Sequence, residues 1–159
     1  LSPSKDGTAV KRVRTLIRQW NPDVVYCHSS KGGGIGRLAA LGLGVKVMYN
    51  PHGWAFSMKG SKVKSWIYLM IERTLAHATD QFVMISNYEK MLAVQRHVGK
   101  ADRMKVIFNG VDTENIRKTA ALSIISRRDV GIPEDAYVIG MVGRISPQRK
   151  FWLLLNSLE

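Results

Sequence analysis

Val45-Lys46-Val47-Met48-Tyr49-Asn50-Pro51-His52-Gly53-Trp54-Ala55-Phe56 is the stretch on which the fold turns. Val45 to Tyr49 is a short apolar run of the kind that fills a buried strand, and Pro51 ends it. A histidine and a glycine follow at once, where a parallel strand would hand over to a loop. Open α/β sheets bind their ligands at the carboxyl ends of strands. Gly53 permits close backbone approach, and His52 can donate, accept or carry charge near neutral pH. A lone loop histidine is more often a hydrogen-bonded structural residue, so the flanking sequence has to decide.

Upstream, Val10, Val13, Ile17 and Trp20 recur at helical spacing, and Asn21-Pro22 ends that helix. Asp23 to Cys27 is a short strand. A glycine-rich loop over residues 28–36 leads to a helix from Arg37 to Leu43, then to the 45–49 strand. Strand, glycine loop, helix, strand is a βαβ unit and requires a parallel sheet. Gly34-Ile35-Gly36-Arg37-Leu38-Ala39 matches G-x-G-x-x-A, yet no acidic residue stands about 20 positions on, where a dinucleotide site needs one. Two readings stay open: a helix N-terminus beside Lys31 suited to an anion, or glycines that let helix and strand pack closely.

Downstream, Val63 to Ala78 reads as a helix with Trp66, Ile67, Met70, Ile71 and Leu75 on its buried side. Gln81 to Ile85 is a strand. Ser86 with Glu89 is a capping box for the next helix, which Gly99 closes. Lys105 to Phe108 is a further strand ending in the Asn109-Gly110 turn. Residues 112–135 show only a short helical pattern. Tyr137 to Val142 reads as a fresh buried strand, followed by a basic loop, Gly143 to Lys150, and a helix, Phe151 to Leu158.

Composition narrows the class. The 159 residues are 45% hydrophobic with a mean hydropathy of −0.09, which suits a folded domain and not a disordered chain. One cysteine, Cys27, excludes an internal disulfide framework. No window reaches the roughly 20 apolar residues that span a bilayer. The net charge is +12, and residues 24–71 contain no acid while Lys31, Arg37, Lys46, Lys59, Lys62 and Lys64 are basic. Such a field attracts anions: nucleotide diphosphates, nucleic acid or acidic lipid headgroups. No recognised nucleic-acid motif accompanies it. A non-catalytic basic α/β module that binds nucleic acid or anionic membrane is the alternative to an enzyme.

The ordered series Pro22-Asp23-Val24-Val25, His28-Ser29-Ser30-Lys31, Pro51-His52-Gly53, Ser86, Asn109-Gly110-Val111-Asp112 and Val142-Gly143-Arg144 resembles glycosyltransferase family 4. These are retaining enzymes of the GT-B architecture, with two Rossmann-like domains. Within the family, the series is similar to bacterial capsule and exopolysaccharide transferases. The resemblance implies an α/β chain with three parts. Residues 1–110 are the later part of the acceptor-side domain, 111–135 the linker, and 136–159 the first strand and helix of the nucleotide-sugar domain. It implies an internal piece of a longer protein, inactive alone, since the chain opens on Leu1 and lacks the family's glutamate pair.

The same resemblance assigns roles. His52 corresponds to the histidine that hydrogen-bonds the donor hexose near the reacting carbon; it orients and stabilises and is not a general base. Arg144, after Gly143, matches the arginine that stabilises the departing diphosphate. Arg149 and Lys150 both fall where the family has a lysine, and Lys150 is favoured for its ammonium. No cofactor or obligatory metal is implied. The nucleotide sugar, expected to be UDP-linked, is a substrate, and the acceptor is a lipid-linked sugar or polysaccharide. No nucleic acid is expected as a partner. The implied location is cytoplasmic, with peripheral contact to the anionic inner face of the cell membrane.

Overall fold

The computed structural model describes residues 3–58, 60–122, 125–146 and 149–158, with side chains from residue 6 onward. Lys59, and Pro147 and Gln148 of the basic loop, lie outside the described residues. The chain divides into two compact units, Leu1–Gly110 and Val111–Glu159.

In the first unit strands and helices alternate: α1 (Pro3–Trp20), β1 (Val24–His28), α2 (Ser30–Ala40), β2 (Lys46–Asn50), α3 (Lys62–Ala76), β3 (Gln81–Met84), α4 (Asn87–Gln95) and β4 (Met104–Val106). The strands form one parallel sheet in the order β1-β2-β3-β4. Parallel pairing needs a crossover between neighbours, and α2, α3 and α4 supply the three. Register sets His28 beside Asn50 and Tyr49 beside Phe82, so β1 and β2 end level with each other. That alignment positions the site described below.

The core gathers on β2 and β3. Tyr49, Phe82, Met84, Ala39, Ala93 and Val98 are wholly buried, and Trp54 nearly so. The Trp54 ring meets Tyr49 edge-on at 6.1 Å, and its indole N–H donates to the Glu89 carbonyl at 3.0 Å. The loop after β2 is thereby pinned to α4. Ser86 caps α4 by accepting from the Glu89 amide at 3.1 Å, while the Glu89 carboxylate accepts from Ile85 N–H at 3.1 Å. Arg14 of α1 donates to the carbonyls of Ala39 and Leu41, satisfying the orphan end of α2.

Two glycines of α2 bear out the close-packing reading. The helix starts at Ser30, so Gly34 and Gly36 lie inside it and not at its tip. A Cβ on Gly33 would overlap the Tyr49 ring, and one on Gly36 would overlap Cys27 Sγ. They are glycine because α2 runs against β1 and β2 at a distance no side chain allows. Lys31 is engaged by Asp6 at 2.9 Å.

Three further expectations are corrected. Trp66, Ile67 and Ile71 of α3 are exposed, at 62%, 43% and 41%; Leu75 is buried as expected and Met70 half-buried, and Glu72 and Ala76 join Leu75 on the buried face. A regular apolar stripe marks one face of a helix but not which face the sheet takes, and here a buried ion pair at Glu72 sets the rotation. The basic field is also thinner than the sequence suggests. Arg37 is paired with Glu72 and Lys46 with Asp80, acids lying beyond the 24–71 window.

The third concerns the second unit, which holds α5 (Thr113–Ala121), a turn of 3-10 helix at Arg128–Val130 and α6 (Phe151–Leu155). Asp112 caps α5 by accepting from the Asn115 amide at 2.9 Å. Residues 137–142 are not a strand, and Tyr137 and Val142 are almost fully exposed. An apolar run becomes a strand only by pairing, and no strand forms among the described residues of this unit.

Candidate functional site at the carboxyl edge of the sheet

Where β1 and β2 end, the backbone is forced into conformations that residues other than glycine seldom adopt. Ser29 has φ 62°, His52 has φ 51° and Gly53 has φ 101°. Left-handed backbone at a non-glycine residue costs of order 1–3 kcal/mol and persists only where surrounding bonds hold it. Asn50 supplies those bonds. Its Oδ1 accepts from the His52 amide at 3.1 Å, and its carbonyl accepts from the Ser29 amide at 3.0 Å. One buried asparagine therefore ties both loops together.

The result is a cluster of polar rings. His28 Nδ1 stands 2.8 Å from His52 Nε2, a hydrogen bond between two imidazoles. The Tyr26 ring lies 4.1 Å from that of His28, and its hydroxyl is 3.5 Å from Asn50 Nδ2. Both histidines are exposed, so the cluster faces a ligand or solvent. No third His, Cys, Asp or Glu joins them in a metal-binding group among the described residues.

Behind the cluster lies a buried network that fixes β2. Arg37, fully buried, donates through Nη2 to Glu72 Oε2 at 2.8 Å and through Nε to the Gly33 carbonyl at 2.9 Å. Its guanidinium carbon sits 3.8 Å over the Tyr49 ring, and the Tyr49 hydroxyl donates to Glu72 Oε1 at 3.0 Å. Burial, and then the Glu72 carboxylate, push the Tyr49 phenol far above its usual range, so it is a donor at any ordinary pH. Three elements, α2, α3 and β2, are locked three residues from His52.

Of the predicted site residues, His52 lies in the first unit and the remainder in the second. Arg144, Arg149 and Lys150 are all exposed. A Cβ on Gly143 would lie 3.9 Å from Arg149 Cδ, so Gly143 and Arg149 are neighbours. Lys150 has φ 50° and precedes α6 directly, while the Arg149 amide donates to the Ser146 carbonyl at 3.0 Å. His52 and Lys150 both have left-handed backbone, as do Asn21, Ser29 and His97. Sequence reasoning missed His28 and Asn50 as partners of His52. The available signal was only that each strand ends in a polar residue; what sets His28 beside Asn50 is the pairing register, which the sequence leaves open.

Four parallel strands with crossover helices and a strained loop site at their carboxyl ends define a Rossmann-like α/β unit of the GT-B type. The chain belongs to glycosyltransferase family 4, whose family model, described as Glycosyltransferase Family 4, matches residues 1–115. It is similar to the UDP-Gal:alpha-D-GlcNAc-diphosphoundecaprenol alpha-1,3-galactosyltransferase of Escherichia coli, with 29% identity over 150 residues, covering 94% of this chain and 39% of that protein. A 41.2 kDa protein in the cps region of Klebsiella pneumoniae is 34% identical over 142 residues, covering 86% of this chain and 39% of that one. Among solved structures, Anabaena HepE in complex with UDP superimposes with a TM-score of 0.70 at 22% identity, over 94% of this chain and 39% of HepE. The chain spans 39% of the length of each of these three.

Proposed function

We propose that the complete protein carrying this chain is a retaining glycosyltransferase. It moves a hexosyl unit from a UDP-sugar to a lipid-linked or polysaccharide acceptor in bacterial surface polysaccharide synthesis. The observation that carries this reading is His52, held in left-handed backbone at the carboxyl edge of a family 4 sheet. The relatives support it: one is named for UDP-Gal and a diphosphoundecaprenol-linked sugar, and HepE was solved with UDP and with UDP-glucose.

In this scheme the bond from the sugar to the diphosphate breaks with positive charge growing on the sugar and negative charge on the leaving group. His52 hydrogen-bonds a hydroxyl of the hexose near the reacting carbon. That hydroxyl becomes a better donor as the sugar turns cationic, so the contact strengthens toward the transition state. Arg144, with Gly143 leaving its backbone accessible, and Lys150, with Arg149 beside it, neutralise the diphosphate. These cations supply the charge a metal would otherwise bring. The protein contacts the anionic inner face of the cell membrane peripherally, through α3, where Lys62 and Lys64 stand in the first turn ahead of the exposed Trp66, Ile67 and Ile71. No helix is long and apolar enough to cross a membrane among the described residues.

A thermal-shift panel of UDP-, GDP-, ADP- and dTDP-sugars on the complete protein tests the donor. A ligand at a hundred times its Kd adds about 2.7 kcal/mol of stability, an easily read shift. Stabilisation by a UDP-sugar is expected. A protein indifferent to the whole panel is not a nucleotide-sugar enzyme.

A further inference from the structure

The bond between His28 and His52 constrains more than position. A hydrogen bond between two neutral imidazoles needs one N–H and one lone pair, so the 2.8 Å contact from His28 Nδ1 to His52 Nε2 has two neutral forms. If His28 donates, both rings carry their proton on Nδ1. If His52 donates, both carry it on Nε2, the form that the neutral histidine side chain favours by itself. The second form satisfies both rings without cost. Among the described residues neither His28 Nε2 nor His52 Nδ1 has a protein partner, so no other contact opposes it.

We propose that His28 is a positioning residue that fixes His52 as its Nε2–H tautomer and so presents His52 Nδ1 as a bare acceptor. Three restraints act in series to fix the His52 imidazole. Asn50 Oδ1 holds the His52 backbone at φ 51°, His28 Nδ1 holds the ring by its far nitrogen, and the Tyr26 ring backs His28 at 4.1 Å. The imidazole is oriented before any ligand arrives, which removes an ordering cost from binding. An acceptor with no N–H at that atom selects a hydroxyl donor, and a sugar offers several. This last step rests on the donor-sugar reading above; the proton arrangement does not.

The test is the ring-nitrogen NMR spectrum of the complete protein labelled with ¹⁵N-histidine, recorded well above the usual imidazole pKa, with His52 assigned by its loss in His52→Ala. Wild type, His28→Phe and His28→Asn are compared. Phenylalanine keeps the ring against Tyr26 but offers no acceptor. Asparagine loses the ring but places Oδ1 as many bonds from Cβ as Nδ1. A solvent-exposed hydrogen bond is worth about a fivefold bias. His52 should therefore be mainly Nε2–H in wild type, lose about fivefold in its Nε2–H to Nδ1–H ratio in His28→Phe, and regain it in His28→Asn. Protonation of wild-type His52 on Nδ1 overturns the proposal. So does an unchanged ratio in His28→Phe, or an asparagine variant that behaves like phenylalanine. Transfer activity is read separately: an active protein with an unmoved tautomer loses this inference alone, and a shifted tautomer in a protein that transfers nothing loses the donor reading alone.

Discussion

Replacing Glu72 with alanine should loosen the floor of the site, and the size of the effect follows from what Glu72 holds. Its two oxygens accept from Arg37 Nη2 at 2.8 Å and Tyr49 Oη at 3.0 Å, all within the interior. Arg37 Nη1 already has no partner among the described residues. Glu72→Ala would leave a buried guanidinium with only the Gly33 carbonyl and the face of Tyr49. Breaking a buried pair from one side costs about 3–5 kcal/mol, against a typical domain stability of about 5–15. Hydrogen exchange at the β2 and β3 amides reads this locally, since protection there follows the free energy of opening. Protection should fall by roughly two to four orders of magnitude, at 1.4 kcal/mol per decade. The double variant Arg37→Met/Glu72→Leu should recover most of it, because apolar packing often matches a buried pair. A loss below about tenfold in Glu72→Ala would falsify the claim that this network holds β2 in place.

The close approach of α2 predicts that Gly33→Ala, driven into the Tyr49 ring, costs about 1–3 kcal/mol in thermal or urea unfolding. Gly34→Ala, with nothing within 4 Å, should be neutral or slightly stabilising; equal effects would disprove the packing account. Asp80 is held below the usual carboxylate range by the Val47 amide and then by Lys46. A depressed folded value stabilises above the unfolded pKa and is lost as pH falls through the folded one, so Asp80→Asn should flatten the acid limb of a stability–pH curve. An unchanged acid limb would contradict that. For α3, co-sedimentation of the complete protein with anionic liposomes should exceed that with neutral ones and weaken as salt rises. Trp66→Ser, or Lys62→Glu with Lys64→Glu, should reduce it, each lysine contributing about 1 kcal/mol. Equal binding to both lipids would remove electrostatics from the account.

Much of this was legible in the residues. The strand–loop–helix–strand order fixed a parallel sheet, because no short turn can join parallel neighbours. Pro51-His52-Gly53 read as a loop at a strand end, which is where the structure has it, and the structure adds why it stays put: Asn50 bridges two strained loops. That bridge was not readable, since it depends on β1 and β2 ending in register, which only pairing fixes. The rotation of α3 was hidden for a similar reason. Trp66 and Ile67 look like core in any apolar periodicity, while Glu72 looks like surface until Arg37 and Tyr49 are found beside it. The stretch from Tyr137 to Val142 failed in the opposite direction, a strand pattern that pairs with nothing among the described residues.

The most direct measurement is transfer by the complete protein from its nucleotide sugar, with kcat and KM compared between wild type and His52→Ala. A contact that strengthens as the sugar becomes cationic belongs to the transition state, so the loss should fall on kcat, about tenfold for one hydrogen bond, with KM for the donor nearly unchanged. An unaltered kcat with a raised KM would make His52 a plain binding residue and contradict the role assigned to it.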